Sequence, residues 1–422
     1  RGGQEGRAPC AQFDAAWYLG SNPDVQASGA NPLLHYLEFG RVEGRAVAPP
    51  DGEERAELPA ELPPLAASTL DDILPRALQA APRVDVVVPV YRGLAETVRC
   101  LKSVLGCSAA TPFELIVIDD ASPEPGLPEA LDRWAAAGLF TLLRNPVNVG
   151  FVGSCNRGME LHADRDVVLL NSDTEVYGDW LDRLLRAAHR DPRNGTVTPL
   201  SNNATIASYP RFIQDNPYPL EIGYPELDAL AARVNAGVVA EAPTGVGFCI
   251  YLRRDCLQQI GFFDEESFGR GYGEENELCQ RAIAAGWRNL IAADVFVHHL
   301  GSVSFQGERA NRVAKAMRVM DRLYPSYQRD VREFIERDPL RAARERLDRA
   351  RLGLRARERN VLLVCHSRGG GAERHLREET RRLQESGHGV FFLRPVRGDG
   401  ALARLCDHTN MALPNLGDFV LA

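Results

Sequence analysis

Short apolar runs and helically spaced apolar positions alternate through the middle of the chain. Residues 84–90, Val-Asp-Val-Val-Val-Pro-Val, form the near-continuous run that a strand buried on both faces requires. Leu94, Val98, Leu101 and Leu105 then recur at three- and four-residue intervals, which predicts a helix with one buried face. Leu115–Ile118 is a second strand run and ends in Asp119-Asp120. Leu127, Leu131 and Trp134 mark a helix, 139–143 a third strand and 151–161 another helix. A fourth strand, 166–170, ends in Asn171-Ser172-Asp173. Such alternation predicts an α/β fold with a mostly parallel sheet flanked by helices.

The flanks differ from this core. Residues 1–47 carry a small unit with apolar and aromatic residues at helical spacing, broken at Asn-Pro turns, and read as a packing or docking appendage. Residues 48–82 hold seven prolines among alanines and acids and read as a stiff linker, interrupted by a short helix near 69–79. The core is expected to span 83–307. Residues 308–359 are helical in character and strongly charged, with eight arginines and three acids between Leu340 and Asn360. The expectation there is a solvated connecting helix; a membrane-surface patch is the competing reading. At 360 a strand run, a Gly-rich segment, an amphipathic helix and a second strand run begin another α/β unit, 360–422. It is shorter than the roughly 100 residues usual for such a domain and is expected to be partial.

Composition narrows the function classes. The net charge of −8 gives no basis for nucleic-acid binding. Nine scattered cysteines without a CxxC pair favour reduced thiols in a cytoplasmic compartment. No apolar run approaches the roughly 18 residues of a membrane span. The chain starts at Arg1 and not at Met, which is compatible with a longer parent.

Three polar clusters fall at consecutive strand ends: Pro89-Val90-Tyr91, Asp119-Asp120 and Asn171-Ser172-Asp173. Open α/β sheets bind ligands beyond those ends. Capping and turn formation explain any one cluster, but three on one rim point to a site. With these stand Asn148-Val-Gly150-Phe followed by Asn156 and Gly158, Gly261-Phe-Phe-Asp-Glu, and Gly271-Tyr-Gly-Glu274-Glu275-Asn-Glu277-Leu followed by Arg281 and Gly286. His299 and Ser304 complete the series.

In order and spacing these motifs resemble the family-2 glycosyltransferases of the GT-A fold, in the bacterial branch of rhamnosyltransferase-like enzymes. The resemblance covers about half of the chain. It implies an inverting transfer from a nucleotide-diphosphate sugar to a glycan or lipid-linked acceptor hydroxyl, in bacterial surface polysaccharide assembly. Peripheral association with the inner face of the membrane would suit such an acceptor.

The resemblance also distributes roles. Asp173 and His299 would hold Mn2+ or Mg2+, with Asn171 replacing the first acid of an Asp-x-Asp motif and Ser172 beside them. Asp119 would accept from the nucleobase, with Asp120 adjacent and Tyr91, Pro89 and Val90 packing on the base. Asn148, Gly150 and Asn156 would lie near the ribose and diphosphate, at a helix start suited to an anion. Glu275 falls on the base position, one methylene longer than the usual Asp, with Glu274 and Glu277 as second choices. Thr244 to Cys249 resembles the small-residue strand beside the donor sugar, with Gly247 close to it. His366 to Arg374 resembles the start of a family-4, GT-B glycosyltransferase. Two alternatives remain open from sequence: a nucleotidyltransferase, although Tyr91-Arg92-Gly93 is short for a phosphate loop, and a non-catalytic nucleotide- or glycan-binding domain.

Overall fold

A computed structural model describes residues 82–422 except 218, 270, 302–308, 366–370, 397–398, 408–410, 412, 418 and 421–422. Upstream it describes Tyr18, Ser21, Asn22, Val25, Leu70 and Ile73. The expected appendage and linker therefore lie almost wholly outside the described residues, as do Ser304 and His366 to Gly370. The chain forms two compact units. The larger comprises Leu65–Leu354 and Leu413–Leu416; the other comprises Arg1–Pro64, Arg355–Ala412 and Gly417–Ala422.

The larger unit begins as the apolar pattern requires: β1 (Val84–Val90), α1 (Leu94–Leu105), β2 (Phe113–Asp119), α2 (Leu127–Ala136), β3 (Thr141–Arg144), α3 (Gly150–Met159) and β4 (Asp166–Leu170). It continues with β5 (Thr174–Glu175), α4 (Trp180–His189), β6 (Asn194–Ser201), α5 (Tyr224–Val234), β7 (Val239–Ala242) and β8 (Cys249–Leu252). Then come α6 (Arg254–Ile260), α7 (Glu265–Phe268), α8 (Glu274–Ala284) and β9 (Arg288–His299). The sheet order is β3-β2-β1-β4-β8-β6-β9-β5, with β7 also paired to β9. Strands β1 to β4, β6 and β9 run parallel; β5, β7 and β8 run against them.

Every residue of β1 is buried. Val86 and Val88 enter one core with Leu115 and Val117, while Val87 enters the other with Ile116 and Ile118. That two-residue alternation is the pleat of a strand with helices on both faces. Helix α3 lies so close to β1 that a Cβ on Gly158 would collide with Val87.

The strand order places a topological switch between β1 and β4. Pairing between them covers only Val84–Val87 against Asp166–Leu169, whereas β1 and β2 stay paired to Val90 and Asp119. Pro89 stands where β1 has left β4, so its missing N–H breaks no bond to that strand. The carboxyl ends of β1 and β4 thus part and open a crevice.

Two local features correct the sequence reading. Thr244 to Phe248 is a turn and not a strand; β8 begins at Cys249. The helices α9 (Arg309–Leu323), α10 (Tyr327–Arg337) and α11 (Arg341–Arg355) are not a solvated connector. Up to Leu354 they belong to the larger unit, so its boundary does not fall at 307. Arg344, Asp348 and Arg351 are buried. Arg351 Nη2 meets Glu221 Oε2 at 2.6 Å and its Nη1 donates to Tyr209 Oη at 3.0 Å, while Tyr209 donates to Asp348 Oδ1 at 2.7 Å. The arginines looked solvated because their partners lie far away in sequence. Among the described residues no helix is long and apolar enough to cross a membrane.

The smaller unit contains β10 (Asn360–Val364), α12 (Gly371–Glu385), β11 (Gly389–Val396), β12 (Asp399–Asp407) and β13 (Phe419–Val420). β10 and β11 are parallel, as the expected β-α-β start requires. β12 pairs antiparallel to β11, so strand–helix alternation stops there.

Arg351→Ala leaves the Glu221 and Asp348 carboxylates buried without their cation. It is expected to destabilise the larger unit by about 3–5 kcal/mol, read as a lower urea-unfolding midpoint. A change within about 0.5 kcal/mol, as at a solvated site, would contradict the packing described.

Candidate active site

The rim of the crevice is completed by β9. Pro199 of β6 faces Ala292, but the next residue, Leu200, faces Phe296. This bulge re-aims the end of β9, which then pairs antiparallel with β5, Thr174 opposite His299 and Glu175 opposite His298. His299 Nε2 consequently stands 3.6 Å from Asp173 Oδ1, each side chain 15% exposed.

Three contacts fix this histidine. Its N–H donates to Asn202 Oδ1 at 2.8 Å, and Asn202 Nδ2 donates to its carbonyl at 3.0 Å. Its ring stacks on Phe248 with centroids 5.3 Å apart. Nδ1 lies 2.8 Å from the Asn203 carbonyl. A carbonyl only accepts, so Nδ1 carries a proton, and in the neutral ring the lone pair is then on Nε2. Sequence reasoning passed over Asn202 and Asn203, although Ser201-Asn202-Asn203 is a polar strand end like Asn171-Ser172-Asp173.

These groups fit a divalent cation. The 3.6 Å separation is too long for a hydrogen bond. Two bonds of about 2.1 Å to one ion set their ligand atoms about 3 to 3.5 Å apart, so a small inward shift closes the pair on it. Asn171 Oδ1 is buried and has no hydrogen-bond partner. A buried acceptor without a protein partner can serve a ligand or a water. Asn171 is anchored by its own N–H to the Phe248 carbonyl at 2.9 Å and by its carbonyl, which accepts from Thr174 Oγ1 at 2.7 Å.

Another acidic group has metal-like spacing. Asp85, Glu114 and His162 cluster at the opposite, amino-terminal ends of β1 and β2. Arg165 Nη1 already sits 3.0 Å from Asp85 and 2.5 Å from Glu114. The guanidinium answers that charge, and the cluster is remote from the crevice.

On the β1–β2 side, the expected residues take different parts. Asp119 is buried at the end of β2; its Oδ1 accepts from the Ser122 N–H and its Oδ2 from Arg144 Nε, both at 2.8 Å. Arg144 therefore shares the place expected for a nucleobase contact. Tyr91 is half-buried at the rim with the Arg92 guanidinium 5.4 Å from its ring centre. Pro89 and Val90 are core residues, and the Val90 carbonyl accepts from the Asp120 N–H.

Asp120 is engaged within the protein. Its Oδ1 accepts from Val149 N–H and Asn145 Nδ2, and its Oδ2 accepts from Gly150 N–H, at 2.8 to 2.9 Å. The start of α3, expected to receive an anion, is thus already served by an internal carboxylate. Asn148 is half-buried in the turn before it. Asn156 is a strut: it donates to the Phe263 carbonyl and accepts from the Phe263 N–H, both at 3.0 Å. Ser172 is half-buried between Asn171 and Asp173.

The acidic turn of α8 separates into three environments. Glu277 is neutralised by Arg281, with Nη2 at 2.6 Å, and accepts from Tyr324 Oη at 2.9 Å, which makes it a structural residue. Glu274 is 4% exposed, and its Oε2 has no partner. Burial, with the Glu275 charge beside it, pushes its pKa up to about 8. Burial also raises Glu275, against hydrogen bonds that favour its ionised form. In this pair Glu275 ionises first and Glu274 keeps its proton near neutral pH. A Cβ on Gly247 would stand 3.5 Å from Cγ and Cδ of Glu275, so the glutamate lies along a turn without a side chain. The next residue, Phe248, is the one that stacks on His299 and holds Asn171. Residues 247 and 248 thereby tie the carboxylate of α8 to His299 and Asn171.

A mostly parallel α/β sheet thus carries a carboxylate–imidazole pair at its switch point and a second carboxylate across a glycine turn. Residues 85–260 match the model of the family described as Glycosyl transferase family 2. Two curated relatives are similar to this chain. The Putative polypeptide N-acetylgalactosaminyltransferase 13 of Drosophila melanogaster is 32% identical over 157 residues, covering 34% of this chain and 27% of the relative. The N-acetylglucosaminyl-diphospho-decaprenol L-rhamnosyltransferase of Mycobacterium tuberculosis is 24% identical over 241 residues, 50% of this chain and 74% of the relative. The chain thus spans about a quarter of the first relative's length. Among solved structures, the mannosyltransferase PcManGT from Pyrobaculum calidifontis in complex with GDP-Man and Mn2+ aligns with 19% identity and a TM-score of 0.43, over 74% of this chain and 83% of that one.

The Glu274 carboxyl gives a signed pH dependence. Its folded pKa of about 8 exceeds the ordinary 4.5, so the folded chain holds a proton that the unfolded chain releases. Its contribution is fully present below about 4.5 and is lost as pH rises through about 8. Glu274→Gln removes this dependence. The melting temperature of the wild type minus that of the variant is expected to fall steadily from about pH 5 to 8; a constant difference would contradict the buried, protonated carboxyl.

Proposed function

We propose that the chain is an inverting, metal-dependent glycosyltransferase that moves a sugar from a nucleotide-diphosphate donor to a hydroxyl of a glycan or lipid-linked acceptor. One observation carries this reading: the Asp173–His299 pair with the orphaned Asn171 oxygen, joined through residues 247–248 to Glu275. The match of residues 85–260 to a sugar-transferring family supports it.

The residues divide the work as follows. Asp173 and His299, with Asn171 beside them, would hold Mn2+ or Mg2+, and a cation held there would supply Lewis-acid neutralisation of the departing diphosphate. Asp119, beside Arg144 and Tyr91, receives the nucleobase at the end of β2. Glu275 accepts the proton of the acceptor hydroxyl as that oxygen bonds to the anomeric carbon. The bond from that carbon to the diphosphate oxygen breaks on the opposite face, and the nucleoside diphosphate leaves with the electron pair. The anomeric configuration inverts without an enzyme-bound sugar. Glu274, protonated beside Glu275, keeps a second negative charge away from the base. A lipid-linked acceptor is favoured by the similarity to the Mycobacterium N-acetylglucosaminyl-diphospho-decaprenol L-rhamnosyltransferase. Such an acceptor fits peripheral association at the inner face of a bacterial membrane and a place in surface polysaccharide assembly.

Asp173→Ala is expected to abolish manganese-dependent release of nucleoside diphosphate from the donor that most raises the melting temperature with manganese. Glu275→Gln should reduce transfer by about 10²–10⁴-fold while donor binding persists. Near-normal rates in either variant, or release of pyrophosphate by the wild type, would overturn the corresponding assignment.

A further inference from the structure

The helix that carries Glu275 begins on a loop that does not hold itself. Gly269, Gly271, Tyr272 and Gly273 all have positive φ, and at Tyr272 (φ 80°) this places a bulky side chain in a region that disfavours it. Such a conformation persists only where surrounding structure imposes it. Here the surroundings are the helices after the family-2 segment. Phe268, Ala316, Met320 and Tyr327 form a small buried cluster, with Tyr272 and Tyr324 packed against it. A Cβ on Gly273 would stand 3.0 Å from the Ala316 Cβ, so α9 seats directly on the residue that starts α8.

Two hydroxyls from the same segment reach the first turn of α8. Tyr324 donates to Glu277 Oε1 at 2.9 Å. Tyr327 donates to Asn276 Oδ1 at 2.9 Å. With its oxygen so held, the Asn276 amide turns its Nδ2 to Thr244 Oγ1 at 3.2 Å. Asn276 is thus a bridge from α10 to the 244–248 turn, the turn along which Glu275 lies. Its side chain also favours the ionised form of Glu275 by hydrogen bonding.

We propose that Tyr327, acting through Asn276, is a positioning residue for Glu275, so that α9 and α10 are part of the catalytic apparatus. The proposal rests on Glu275 being the base. Tyr327 touches neither donor nor acceptor in this account. It fixes the amide that ties the start of α8 to the 244–248 turn along which Glu275 lies, while Tyr324 steadies the adjacent residue.

Tyr327→Phe removes one oxygen and keeps the ring in its cluster. Its kcat is expected to fall about tenfold or more, as for a group displaced from its reactive geometry, with the donor KM and the melting temperature nearly unchanged. Losing the oriented Asn276 bond should move the acid limb of the kcat profile to higher pH. Asn276→Ala should reproduce both effects, and the double variant should be no worse than either single one. Wild-type kcat and pH profile in Tyr327→Phe or in Asn276→Ala, with Glu275→Gln inactive, would overturn this inference alone. An active Glu275→Gln would overturn the assignment of the base beneath it. Additive losses in the double variant would assign the two residues separate roles and so contradict the relay.

Discussion

The pairing of two residues of β5 with the last two of β9 is the constraint on which the site depends. Without it, His299 would end a strand separated from β4 by β8 and β6. The bulge in β9 makes the pairing reachable, and Asn202 and Asn203 then hold the histidine by backbone and ring. The carbonyl of Asn203 matters most chemically. It commits the Nδ1 proton and leaves Nε2 aimed toward the carboxylate.

The second constraint is the early parting of β1 and β4. Strands that stayed paired to their ends would close the crevice. Instead β1 keeps only β2 beyond Val87, and β4 runs on into Asn171-Ser172-Asp173. The end of β2, proposed for the nucleobase, and the end of β4, proposed for the cation, therefore flank a switch point. Residues 247 and 248 then carry the register from the cradle to Glu275, one through the absence of a side chain and the other through its ring and carbonyl.

Much of this was legible in the sequence. The strand–helix alternation from 84 to 170 gave the order of elements because each run is buried along its whole length or along one helical face. The rim residues Asp119, Asn171, Asp173, Glu275 and His299 were visible as polar strand ends or by resemblance. What stayed hidden involved partners far apart in the chain. Asp120 looked like a ligand contact and is the carboxylate that serves α3. Glu277 looked like a candidate base and is paired with Arg281. The charged stretch after 308 looked solvated because Glu221 and Tyr209, which receive Arg351, lie 130 and 142 residues earlier. Nor could a local pattern announce that Tyr327 would meet Asn276.

The central claim is that the cation sits between Asp173 and His299, and pulsed electron paramagnetic resonance of bound Mn2+ tests it most directly. With a nucleoside diphosphate present, the wild type should show coupling to an imidazole nitrogen that survives in His162→Ala and vanishes in His299→Ala. Coupling that persists in His299→Ala, or that is lost in His162→Ala, would place the metal at the Asp85 cluster or elsewhere and contradict the account.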